Sequence, residues 1–158
     1  MSGVLESRQE GSREEPPPGG CFRFEGLSPW RADWGLIECE VGDWVIDLHN
    51  VGYFLSVTYD SARRLTFAWY YHDPGPANGP SSPQLVRLVF DEVSGVSLTQ
   101  DDELHELCRG ETDGWDFEPD GAGAAQLSFN VDEAQVCFRA TGVSLVAEPT
   151  TMEVPFPS

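Results

Sequence analysis

A chain of 158 residues has room for one hydrophobic core, and a domain of this length buries about 70% of its unfolded surface with no disulfide or metal needed as a staple. Its 27 acidic residues against 9 basic ones leave a formal net charge of −18. That field repels nucleic-acid phosphates and anionic membrane surfaces and speeds encounter with a basic partner, so nucleic-acid and membrane binding are disfavoured.

Residues 1–20 are polar, charged and rich in Pro and Gly, ending in Pro16, Pro17, Pro18, Gly19 and Gly20. They bury too little apolar surface to offset ordering entropy and are expected to form a disordered tail. A single β domain is expected over 21–148. Early strand candidates are Phe22–Phe24, Leu36–Val41 and Trp44–Leu48. A hairpin follows, in which Tyr53, Leu55, Val57 and Tyr59 alternate with smaller residues and so do Leu65, Phe67, Trp69 and Tyr71. Alternation with period two places each set on one face of a strand, and Asp60 to Arg64 makes the turn. Trp69, Tyr70 and Tyr71 are consecutive, so at least one of these rings must lie outside the main core, under a covering layer or in an exposed patch.

The Pro- and Gly-rich stretch from His72 to Pro83 has no periodicity and reads as a long surface loop. Strand patterns resume at Val86–Phe90, Val96–Leu98, Leu127–Val131, Val136–Ala140 and Val143–Val146. Asp101 to Cys108 is the one candidate helix, of one or two turns, with an acidic start that suits a helix N-terminus. ETDGWDFEPDG, around Trp115, reads as a charged, Gly-rich turn region, and Pro149 to Ser158 as an extended C-terminal tail. The segment LVFDEVSGVSL at 88–98 echoes VCFRATGVSL at 136–145. Two similar strand–turn–strand units on a common core, or chance likeness between β patterns, would each account for the echo. The fold expected is mainly β, an antiparallel two-layer sandwich or rolled sheet with at most one short helix near 101–108.

The chemistry-bearing motifs are few. Gly95-Val96-Ser97 and Gly142-Val143-Ser144 lack the second glycine of a nucleophile elbow. Asp101, Asp102, His105 and Glu106 crowd together without the HExxH order or the Ca²⁺-loop pattern, so a solvated acidic face is preferred and no metal is expected. Cys21, Cys39, Cys108 and Cys137 have no zinc-ligand spacing and read as small buried hydrophobes. No cofactor is called for. Asp113 and Asp116 flank Trp115, but a Gly-rich turn is a poor scaffold for the fixed carboxyl separation that glycan hydrolysis needs. Asp47 and His49 lie two apart and would share one side of any strand carrying them, which makes them the candidate acid–base pair if the chain is a small enzyme.

Taken in order, His49, the hairpin FLSVTYDSARRLTFAWYY, the segment LVRLVFDEVSGVSL, an acidic insert and the closing AQVCFRATGVSL resemble small all-β immunity proteins of bacterial polymorphic toxin systems, over about residues 44–147. Asn50 and Val51 follow His49 where that family usually has Asp and a small residue. The resemblance implies a role in binding and blocking a cognate toxin, with no chemistry of its own. It supplies no binding residues, so these are drawn from charge and side-chain type: Asp101, Asp102, Glu103 and Glu106, then Asp113 and Asp116, with Trp115 as an aromatic anchor. The expected partner is a protein, a basic toxin domain of the kind that targets nucleic acid; an accessory domain kept soluble by its charge is the third reading.

All nine basic residues are Arg, and Ile occurs only at Ile37 and Ile46. Lys and Ile have AT-rich codons, so the composition points to a GC-rich bacterial genome such as that of an actinobacterium. The N-terminal stretch lacks an apolar run of signal-peptide length, and no stretch approaches the roughly 20 apolar residues of a membrane helix, so a reducing cytoplasm is the expected compartment.

Overall fold

The computed structural model describes residues 22–29, 38–72, 82–100 and 110–152. Within them twelve strands form: β1 (Arg23–Glu25), β2 (Ser28–Pro29), β3 (Glu38–Val41), β4 (Trp44–Asp47), β5 (Gly52–Tyr59), β6 (Leu65–Tyr71), β7 (Gln84–Asp91), β8 (Ser94–Thr99), β9 (Thr112–Pro119), β10 (Ala125–Val131), β11 (Ala134–Ala140) and β12 (Gly142–Pro149). The expected tail over 1–20 and the expected helix over 101–108 lie outside the described residues. The C-terminal segment is described as far as Met152, with β12 running to Pro149.

The strands make a five-stranded sheet in the order β1-β12-β7-β6-β5, a four-stranded sheet β8-β11-β10-β9 and a three-stranded ribbon β2-β3-β4. None closes into a barrel, and the described residues contain no helix, so the molecule is mainly β. Every pairing is antiparallel except that of β1 with β12.

The core follows from alternation. Leu65, Phe67, Trp69 and Tyr71 of β6 and Val86, Leu88 and Phe90 of β7 are buried, as are Leu127, Phe129, Val131, Val136 and Phe138 of β10 and β11. Rings from the two sheets interleave: Phe67 lies 4.8 Å from Phe129 and 5.8 Å from Phe138, centroid to centroid. Such aromatic pairs each add about 0.5–1.5 kcal/mol beyond their buried area.

β9 reveals how the sheets cross. Gly110, two residues before its start, accepts a backbone hydrogen bond from Phe54 of β5, while Phe117 packs edge-on against Phe22 at 5.1 Å and tilted against Phe24 of β1 at 5.9 Å. β5 and β1 are opposite edges of the five-stranded sheet. Four inter-strand spacings of about 4.8 Å and a strand rise of about 3.4 Å per residue give nearly the same length, roughly 17–19 Å, for the sheet width and for Thr112 to Phe117. β9 therefore runs across the strands of the facing sheet.

The sequence echo has a structural meaning. β7 leads from the five-stranded sheet into β8 of the four-stranded one, and β11 leads back from the four-stranded sheet into β12. β7 pairs with β12 and β8 with β11, so the two units clasp each other about a pseudo-twofold axis. Two pairs correspond, Val89↔Ser144 and Leu88↔Leu145 on one side with Cys137↔Ser97 and Val136↔Leu98 on the other, before the β8–β11 register shifts. The equivalent Phe90 and Phe138 meet edge-on at 4.8 Å. The β5–β6 turn grips the first crossover, with Tyr59 Oη and Arg63 Nε donating to the Val93 carbonyl and Val93 N–H donating to that of Arg63.

Three sequence expectations change. β9 is a strand where a turn region was expected. The hairpin carries a bulge between Phe54 and Ser56, so Tyr53 pairs with Tyr70 while Phe54 pairs with Trp69, and the run Tyr53, Leu55, Val57, Tyr59 does not share one face. β4 stops at Asp47, leaving His49 in a turn and not on its strand. Of the three consecutive aromatic residues, Trp69 and Tyr71 are buried and Tyr70 lies half-buried on the outer face.

Candidate functional site

Asp47 and His49 do not form a coupled pair. The Asp47 carboxylate closes its own turn, accepting from Asn50 N–H at 3.0 Å and from Asn50 Nδ2 at 2.8 Å. This is the short-range capping geometry an Asp favours at a strand end. The His49 ring turns instead to β9, where Nδ1 lies 2.6 Å from the Thr112 carbonyl. A carbonyl only accepts, so Nδ1 carries the proton and donates.

Thr112 is the hub of this corner. Fully buried, it also accepts at Oγ1 from the Trp69 indole Nε1 at 2.7 Å. Both Thr112 acceptors are thus used to satisfy ring N–H groups, one of them in the core, where an unmet donor costs about 1–3 kcal/mol. Gly110, in the left-handed region at φ +85°, completes the corner: a Cβ there would meet the Tyr53 ring at 2.6 Å. Its N–H donates to Asp132 Oδ1 at 3.1 Å. Together these bonds tie the start of β9 to β6 and to the turn after β4, which is a structural task.

Asp101, Asp102, Glu103 and Glu106 lie outside the described residues. Asp113, Trp115 and Asp116 lie on β9, which is an edge strand, with Trp115 opposite Phe129 and Asp116 opposite Ser128. Asp113 and Asp116 are exposed. Ser128 Oγ donates to Asp116 Oδ2 at 3.4 Å. Glu118 shares the outer face with Asp116, since it stands two residues further along the strand, opposite Gln126. Across this sheet the outward row continues as Gln126, Ser128, Gln135, Cys137, Ser97 and Thr99, a wholly polar surface apart from the thiol.

Asp120, just beyond β9, caps the turn into β10. It accepts from Ala122 N–H and Ala124 N–H and pairs with Arg139 at 2.6 Å. The Ala122 amide first, then the Arg139 guanidinium, hold its carboxyl below the ordinary value of 3.8. Asp60 is lowered likewise, chiefly by the Arg64 backbone amide. Glu118 and Asp120 fall within the acidic stretch Asp113–Asp120 expected to meet a partner, although neither is named individually from sequence, and Arg139 is not singled out at all.

Among the described residues no group of three or more His, Cys, Asp or Glu side chains could hold a metal ion. Cys39 and Cys137 are free thiols. Burial pushes the Cys39 thiol up to about 12, which leaves it inert as a nucleophile. Cys21 and Cys108 lie outside the described residues, and no helix of the described residues is long and apolar enough to cross a membrane. The surface the geometry does build is therefore a polar sheet face with an acidic edge strand. Comparison with known proteins found no matching family model, no matching curated protein and no matching solved structure.

Proposed function

We propose that this chain is a non-catalytic binding protein, an immunity protein that neutralises a cognate bacterial toxin by covering a basic, nucleic-acid-handling cleft. The observation that carries the reading is the acidic edge: Asp113, Asp116 and Glu118 are exposed on β9, on a chain whose net charge is −18. Strand carboxylates are held at fixed spacing, so they can stand in for successive phosphates with little ordering cost on binding. The resemblance to immunity proteins supports the same role, and the separate engagement of Asp47 and His49 weakens the rival reading as an acid–base enzyme.

The test is co-expression with the toxin encoded beside this chain's gene. Growth is rescued and a complex co-purifies if the reading holds; persistent killing with no complex overturns it. The association rate should fall steeply from 0.05 to 0.5 M salt, since the screening length shortens from about 10 Å at 0.1 M toward about 3 Å at 1 M. The triple variant Asp113→Asn, Asp116→Asn, Glu118→Gln should slow association about tenfold or more while leaving the fold unchanged.

A further inference from the structure

The two pseudo-equivalent strands differ in what lies beside them. β12 is flanked on its outer side by β1, which pairs with Gly142, Val143 and Ser144 and brings Phe24 into the aromatic cluster with Phe22 and Phe117. β8, its counterpart, ends the four-stranded sheet, with β11 on one side and no strand on the other among the described residues. Val143 is 1% exposed, whereas the equivalent Val96 is 38% exposed and Leu98 is 59% exposed. Leu98 pairs with buried Val136, so it faces the core side of its sheet but overhangs the layer beneath.

Free edges normally carry a guard against pairing: a charge, a proline or a bulge. Ser94 to Thr99 contains no charge and no proline. Its irregularity lies at the start, where Gly95 has φ +63° and Gly95 and Val96 fall in the register shift between the pairs Ser94↔Arg139 and Ser97↔Cys137, leaving Ser97–Thr99 in regular register and, among the described residues, without a guarding charge, proline or strand. Along such an edge, alternate N–H and C=O groups point away from the sheet and await a partner strand.

We propose that β8 takes an extended segment of the protein partner as a fifth strand along Val96–Thr99, with an apolar side chain of that segment closing over Val96 and Leu98 as Phe24 closes the β12 side. The proposal rests on the reading of this chain as a binding protein. A second copy is the weaker occupant, because each copy carries a charge of −18, and the same charge favours a basic segment.

The experiment uses the full chain with two capped hexapeptide probes, alternating Val with Lys and alternating Val with Glu, followed by amide exchange. The Val–Lys peptide should slow exchange of β8 amides within Val96–Thr99, and the Val–Glu peptide should bind at least tenfold more weakly. Leu98→Lys, at an exposed position, should fold normally and lose tenfold or more in affinity. Binding of the Val–Lys peptide with β8 exchange unchanged and Leu98→Lys indistinguishable from the parent overturns the edge proposal while leaving the toxin reading intact. So does no binding at all while the toxin complex forms. Self-association that Leu98→Lys abolishes makes a second copy the occupant and also overturns it. Failure of toxin rescue removes the reading on which the edge rests, and the edge proposal falls with it.

Discussion

The β7–β8 and β11–β12 units share a phenylalanine and a closing Gly-Val-Ser-Leu, yet one ends in a strand whose start is buried and the other in a strand that is largely exposed. Val143 and Val96 occupy matching sequence positions and differ in what surrounds them: β1 stands beside β12 and Val143 keeps register with Phe90, whereas nothing described stands beside β8 and Val96 falls in a register shift. The lesson is that period-two patterning specifies a strand and its inward face, while burial depends on whether another strand arrives. A sequence pattern alone cannot distinguish a filled place from an open one.

The sharpest way to break this comparison is at the axis. Phe90→Ala and Phe138→Ala should each cost about 3–5 kcal/mol in urea denaturation, because both rings are fully buried in the shared aromatic cluster. A large loss for one and almost none for the other would mean that the two units do not support each other equally. Next in size is the contrast along the strands: Val143→Ala should cost about 1–2 kcal/mol, and Val96→Ala no more than about 0.5 kcal/mol, by the same measurement. Equal losses would show that β8 is covered in solution.

The smallest effect concerns charge. Asp91 and Arg139 follow the two equivalent phenylalanines, and Arg139 has an ion-pair partner at Asp120, in the turn between β9 and β10. A carboxyl lowered below 3.8 in the folded chain contributes stability that is complete above that value and is lost as the pH falls through the folded value. Asp120→Asn should therefore lower the melting temperature near neutrality, with the difference from the parent shrinking as the pH falls through the folded value, so that part of the acid limb flattens. An unaltered acid limb would show that the turn is held by its other contacts.

The hairpin and most strands were legible because Leu65, Phe67, Trp69 and Tyr71, or Val86, Leu88 and Phe90, alternate without interruption. β9 was not, because its register shifts beside Trp115 and its outward positions are acids, which makes TDGWDFEP look like a turn. The extra residue at Leu55 was equally hidden, since Tyr53 to Tyr59 reads as flawless alternation. At the candidate site, Asp113 and Asp116 could be picked out by charge, but their fixed spacing on an edge strand could not. Thr112 was invisible for a different reason: its partners Trp69 and His49 come from distant parts of the chain, and no local pattern marks a residue whose role is to accept two remote rings.

Because Arg23 aligns with Gly142, the first described strand cannot find its place until the last has been made. A nascent chain on the ribosome must hold Phe22 and Phe24 unsheltered through nearly all of its synthesis. Folding should accordingly be slow, on the order of milliseconds to seconds as for other proteins dominated by distant pairings, and aggregation during production should be worst for chains that stop short of β12.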